Sequence, residues 1–149
     1  MTSSVGDHVV THLGICVADL ERSQSFYKGA LGFTTVGRMQ ASGPETATIL
    51  SVPGCAIDLV YLERDGLRIE LIGYDAGVEQ GTVPRPMDQV GLTHLSIRVG
   101  SLDDLVGPIC DHGGSVVAGS LVTFEWGNRG VMALDPDGTR IELIERRPR

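Results

Sequence analysis

"GLRIELI" at residues 66–72 returns as "GTRIELI" at residues 138–144, and each copy follows an aspartate, Asp65 and Asp137. A chain that writes the same strand-like segment twice points to a duplicated unit, and the rest of the unit lies upstream. "THLGICVADL" at 11–20 is matched by "THLSIRVGSL" at 93–102. The first pair is offset by 72 positions and the second by 82, so the first copy holds about ten extra residues between its two ends. The 149 residues therefore read as one domain of two modules, about 9–72 and 91–145, joined by a linker at 73–90. The linker, with its Gly and Pro and no hydrophobic period, reads as a connection, a lid, or both.

Side chains alternate along a strand. In the first copy this puts Leu13, Ile15 and Val17 on one face and His12, Gly14 and Cys16 on the other. In the second copy Leu95, Ile97 and Val99 oppose His94, Ser96 and Arg98. Each aliphatic face needs a cover, and a helix signal follows each strand. Asp19 is the expected N-cap of the first helix, with Leu20, Tyr27 and Leu31 on one stripe and Gly32 as the stop. Ser101 is the expected N-cap of the second, with Gly107-Pro108 weakening or kinking its middle. Strands are then expected over roughly 33–40, 46–51, 55–63 and 66–72, and over 115–119, 121–126, 130–135 and 138–145. Asp65-Gly66 suits a type I′ hairpin turn. The fold class is α+β: two paired βαβββ modules forming a cup-shaped incomplete β-barrel with the helices outside. The cup is lined by the faces that carry His12, Glu70, His94 and Glu142.

A single histidine or glutamate on a strand is ordinarily a surface or hydrogen-bonded residue, and Arg68 and Arg140 stand near enough to pair with the glutamates. Four polar groups at equivalent places in a duplicated strand pair are another matter, because burying them without a partner is costly. One divalent cation satisfies all four. Two imidazoles and two carboxylates suit Zn, Ni, Co, Mn or Fe about equally and leave room for water or substrate oxygens.

Composition narrows the partners. Net charge is −7 with no basic run except the terminal "RRPR", which argues against nucleic acid. Apolar residues make up 42% of the chain with no long apolar run, which argues against a transmembrane helix. "MTSSVGDHVV" at the start has no signal-peptide pattern. Cys16, Cys55 and Cys110 are odd in number and widely spaced, so a reducing cytoplasm is the expected compartment.

With "VTHLGICVADLERSQSFYKGALGF" and "DPDGTRIELIE" in place, the sequence resembles the vicinal oxygen chelate superfamily over about residues 9–145. That superfamily includes glyoxalase I, methylmalonyl-CoA epimerase, extradiol dioxygenases and the fosfomycin- and bleomycin-resistance proteins. The resemblance implies paired βαβββ modules and metal ligands at His12, Glu70, His94 and Glu142. An acid at Glu70 favours the proton-transfer branch: a metal-dependent isomerase or lyase that abstracts a proton alpha to a carbonyl, with a metal-stabilised enediolate or enolate and Glu70 or Glu142 as base. The partner is then a small molecule with vicinal or paired oxygens, and the protein is expected to be a homodimer, its site within one chain or between two. An Fe(II) or Mn(II) extradiol dioxygenase is the first alternative and calls for a further His or Tyr in the cup. A non-catalytic drug-binding resistance protein is the second.

Further residues are candidates for substrate contact. Arg98 lies on the His94 face, and Phe124, Trp126, Asn128 and Arg129 sit in a strand-loop stretch near the expected mouth. Tyr74 and Arg85 in the linker are candidates to close over substrate. Cys16 reads as filler, His8 as surface, and His112 as a helix-end residue.

Overall fold

The computed structural model describes residues 8–81 and 84–146. The start of "MTSSVGDHVV", two positions of the linker and the end of "RRPR" lie outside the described residues.

The first module runs β1 (Leu13–Cys16), α1 (Leu20–Gly29), β2 (Thr34–Ser42), α2 (Pro44–Leu50), β3 (Ala56–Arg64) and β4 (Leu67–Tyr74). The second runs β5 (His94–Val99), α3 (Asp103–Asp111), β6 (Ser115–Val116), β7 (Val122–Thr123), β8 (Arg129–Leu134) and β9 (Arg140–Glu145). The first sheet has the order β1-β4-β3-β2, and the second β5-β9-β8-β6 with β7 also on β8. In both, the first strand lies parallel to the last, which is antiparallel to the strand before it. The duplicated letters therefore fold into duplicated topology, and the sheets remain open.

Alternation sorts the faces as expected. Ile69 and Leu71 of β4 pair with Leu62 and Val60 of β3, and all four are buried beneath the helices. Ile141, Leu143, Val131 and Ala133 do the same in the second sheet. These faces merge with Phe26, Tyr27 and Ile109 into one core that spans both modules. The helix sides of the sheets are thus shared, and the opposite faces are left open.

Asp19 caps α1, its carboxylate accepting from the Arg22 backbone N–H at 2.9 Å. Asp65 and Gly66 both adopt positive φ, 51° and 80°, as a type I′ turn requires. The α3 helix continues through Pro108 to Asp111. Its first turn is tied down by the Ser101 hydroxyl, which accepts from the Asp104 N–H, and by Glu145, which accepts from the Leu102 N–H.

One expected strand is overturned. Residues 46–50 belong to α2 and Ser51 is its C-cap, so the segment is not a strand. Gly43 turns the chain at φ 96°, Pro44 starts the helix with its fixed φ, and Glu45 suits the N-terminal dipole. The hydroxyls of Thr46 and Thr48 donate to the carbonyls of Ser42 and Pro44, and Ser51 ends the helix in the left-handed region. The second module has no helix at the matching place, so α2 accounts for most of the extra length in the first. Among the described residues no helix is long and apolar enough to cross a membrane.

Candidate metal centre

Strand register carries the four predicted ligands onto the open faces. Glu70 of β4 lies between Gly14 of β1 and Tyr61 of β3. Glu142 of β9 lies between Ser96 of β5 and Met132 of β8. His12 directly precedes β1, and His94 opens β5, so each histidine stands two residues before the partner of its glutamate. The imidazole Nε2 of His12 is 3.3 Å from Glu70 Oε2, and that of His94 is 3.7 Å from Glu142 Oε2.

The other ring nitrogen is held as well. Thr11 Oγ1 is 3.0 Å from His12 Nδ1, and Thr93 Oγ1 is 2.8 Å from His94 Nδ1. The carboxylates differ. The Ser96 hydroxyl donates to Glu142 at 2.6 Å, and the Glu142 side chain is one-third exposed. Glu70 is buried, with 8% of its surface exposed. Its neighbour Tyr61 sets its ring edge-on to His12 at 5.7 Å. Hydrogen bonding to Glu70 pushes the Tyr61 phenol above its ordinary pKa, with burial and the carboxylate charge adding to the effect.

Among the described residues, no three His, Cys, Asp or Glu side chains gather tightly enough to hold one metal ion. The chain brings the four predicted ligands together as two pairs, one on each module. An apolar groove lined by Leu13, Ile15, Ile69 and Leu95 runs between β1 and β5 to His94.

The remaining candidates divide by face. Arg98 is exposed on the His94 side. Phe124 and Trp126 stack at 4.9 Å over the turn that Asn128 closes with its backbone carbonyl, and Trp126 is largely exposed. Arg129 lies opposite Glu145 on the helix side, where it pairs with Asp103 at 3.1 Å and Glu145 at 3.4 Å. Its guanidinium is thereby committed to the start of α3. Arg85 donates to the carbonyls of Gln89 and Leu92, bracing the approach to β5. Tyr74 ends β4 opposite Ile57, and its phenol is raised chiefly by burial. Cys16 and His8 are exposed, and His112 meets the Ser25 hydroxyl at 3.0 Å.

Sequence reasoning missed Tyr61 and the roles of Thr11, Thr93 and Ser96. The threonines were visible as repeated letters beside each histidine. Tyr61 was accessible by counting back across the Asp65-Gly66 hairpin from Glu70.

This arrangement on this fold has a family. A profile of the Glyoxalase/Bleomycin resistance protein/Dioxygenase superfamily matches residues 9–143, and the chain belongs to that superfamily. No curated protein matches it. Among solved structures it is similar to a glyoxalase family protein from Bacillus cereus, with a TM-score of 0.80, 19% identity, and coverage of 95% of this chain and 97% of the other. A glyoxylase/bleomycin resistance protein/dioxygenase domain from Frankia sp. EAN1pec follows at 0.61 and 24%, covering 94% and 93%. The fosfomycin resistance protein FosX from Listeria monocytogenes, solved with Mn(II) and sulfate, matches at 0.58 and 16%, covering 93% of each chain.

Proposed function

We propose that the chain is a metal-dependent isomerase or lyase of the glyoxalase I or methylmalonyl-CoA epimerase type, acting on a proton beside a carbonyl. The observation that carries this reading is the pair of histidine–glutamate couples at equivalent registers, each imidazole turned so that Nε2 faces its carboxylate. The donor set fits one divalent ion, Zn, Ni, Co, Mn or Fe, and FosX carries Mn(II) on the same fold. Half of the set belongs to each module, and no three of the four meet within the chain. The proposed protein is therefore a homodimer, with His12 and Glu70 of one copy opposite His94 and Glu142 of a second. A bound ion supplies Lewis acidity to two oxygens of a small substrate. Glu142, half-buried and held by one hydroxyl, is the freer carboxylate to take the proton and return it, while buried Glu70 is the more fixed. The net charge of −7 disfavours nucleic acid as a partner, and three free cysteines suit a reducing cytoplasm.

A second reading has one observation in its favour. Tyr61 supplies a phenol beside His12 and Glu70, the kind of extra group that an extradiol dioxygenase calls for.

Elemental analysis of untagged protein, beside Glu70→Ala and Glu142→Ala, tests the proposal. The expected result is about one divalent ion per chain in the wild type and loss in both variants. Loss in Glu142→Ala alone turns the reading toward a three-ligand dioxygenase. A wild type that neither carries nor takes up metal sinks the enzyme reading and leaves a small-molecule binding protein.

A further inference from the structure

We infer that Thr11 and Thr93 are positioning residues that let each site histidine exchange its carboxylate for a metal without leaving a ring nitrogen unpaired. The inference rests on the metal site proposed above and extends it to residues outside the ligand set.

The geometry occurs twice. In each module a threonine hydroxyl sits within hydrogen-bond distance of Nδ1, at 3.0 Å and 2.8 Å, while Nε2 looks toward a glutamate. A neutral imidazole carries one proton and offers one lone pair. With no metal, the carboxylate before Nε2 favours the proton there, and Nδ1 is left as an acceptor. A ligating Nε2 must surrender that proton, and the neutral ring then carries it on Nδ1, which becomes a donor. The partner at Nδ1 therefore has to donate in one state and accept in the other. A carboxylate or backbone carbonyl only accepts, and an amide N–H only donates. A hydroxyl does both by rotating about its C–O bond.

Position favours this role over a structural one. Thr11 is exposed and Thr93 half-buried, and neither belongs to the buried core. Each hydroxyl meets the ring of the adjacent histidine, in both modules. β-Branched threonine also suits the strand approach, so valine in its place keeps shape and strand preference while removing only the hydroxyl.

The experiment is zinc titration of the full-length chain, followed by calorimetry and by nitrogen NMR of the histidine rings, for wild type, Thr11→Val, Thr93→Val and the two serine variants. In the wild type the rings of His12 and His94 are expected to carry the proton on Nε2 without zinc and on Nδ1 with it. Each valine variant is expected to bind zinc at least about tenfold more weakly, as loss of such an outer partner does elsewhere. The serine variants are expected to restore affinity. Zinc binding by the valine variants equal to wild type overturns the inference and leaves the metal site standing. So does a wild-type ring already protonated on Nδ1 without zinc. A wild type that takes up no zinc and no other divalent ion overturns the site and this inference together.

Discussion

Asp135 shows how a single buried group ties the two modules together. Its carboxylate is 3% exposed. It accepts from the Tyr27 hydroxyl of α1 at 2.9 Å and from the backbone N–H groups of Asp137 and Thr139 at 2.9 and 2.7 Å. Burial pushes its pKa above the ordinary carboxylate value, and the donors from Thr139, Tyr27 and Asp137 pull it partway back. A carboxyl whose folded value is raised adds stability that is complete below its unfolded pKa and is lost as pH rises through the folded one. Relative to Asp135→Asn, the wild type should therefore lose stability as pH rises from the ordinary carboxylate value through the raised one. Removing a donor raises the folded value further, so Tyr27→Phe should cost most where the carboxylate is charged. The expected cost is about 1–3 kcal/mol near neutral pH, shrinking in acid. Urea unfolding of the three proteins across that range checks both, and a pH-independent Tyr27→Phe cost would count against the account.

Elements whose rules are local were readable from the sequence, and those set by longer contacts were not. The repeated RIELI strand, the Asp19 cap and the Asp65-Gly66 turn each follow from two or three neighbouring residues, and each forms as expected. Gly66 at φ 80° makes a direct check: Gly66→Ala should cost about 1–2 kcal/mol in thermal or urea unfolding. Equal stability would mean that the hairpin tolerates another turn. Residues 46–51 misled because Thr and Ile favour strands, while the deciding features, Gly43 and Pro44, lie just upstream of the window. Within the site, His12, His94, Glu70 and Glu142 stood out because they repeat. Tyr61 did not, because Met132 occupies its place in the second module. Arg129 was drawn toward the mouth by its aromatic neighbours, although its register opposite Glu145 puts it on the helix side. Duplication thus advertises what both halves need and hides what only one half uses.

At the scale of the whole molecule, the contacts that join the modules lie on the helix side. Arg22 pairs with Asp137 at 2.6 Å, and Gly114 leaves no room for a side chain beside Phe26 and the Leu134 carbonyl. A Cβ at position 114 would stand 2.6 Å from that carbonyl, so Gly114→Ala should destabilise the chain by roughly 1–3 kcal/mol. A chain joined on that side leaves each module with its own open face, each bearing half of the proposed ligand set. The consequence is a complementation test. Glu70→Ala and Glu142→Ala each spoil one half-set. If each site combines the first module of one copy with the second module of another, a mixed dimer contains one doubly spoiled site and one intact site. Co-expressing the two variants should then restore metal to about a quarter of the wild-type level, since random pairing makes half the dimers mixed. Sites confined to single chains would restore nothing, because every chain in the mixture carries a damaged set. Metal content of the purified mixture therefore discriminates between the two assemblies, and recovery well above the level of either variant alone is the expected outcome.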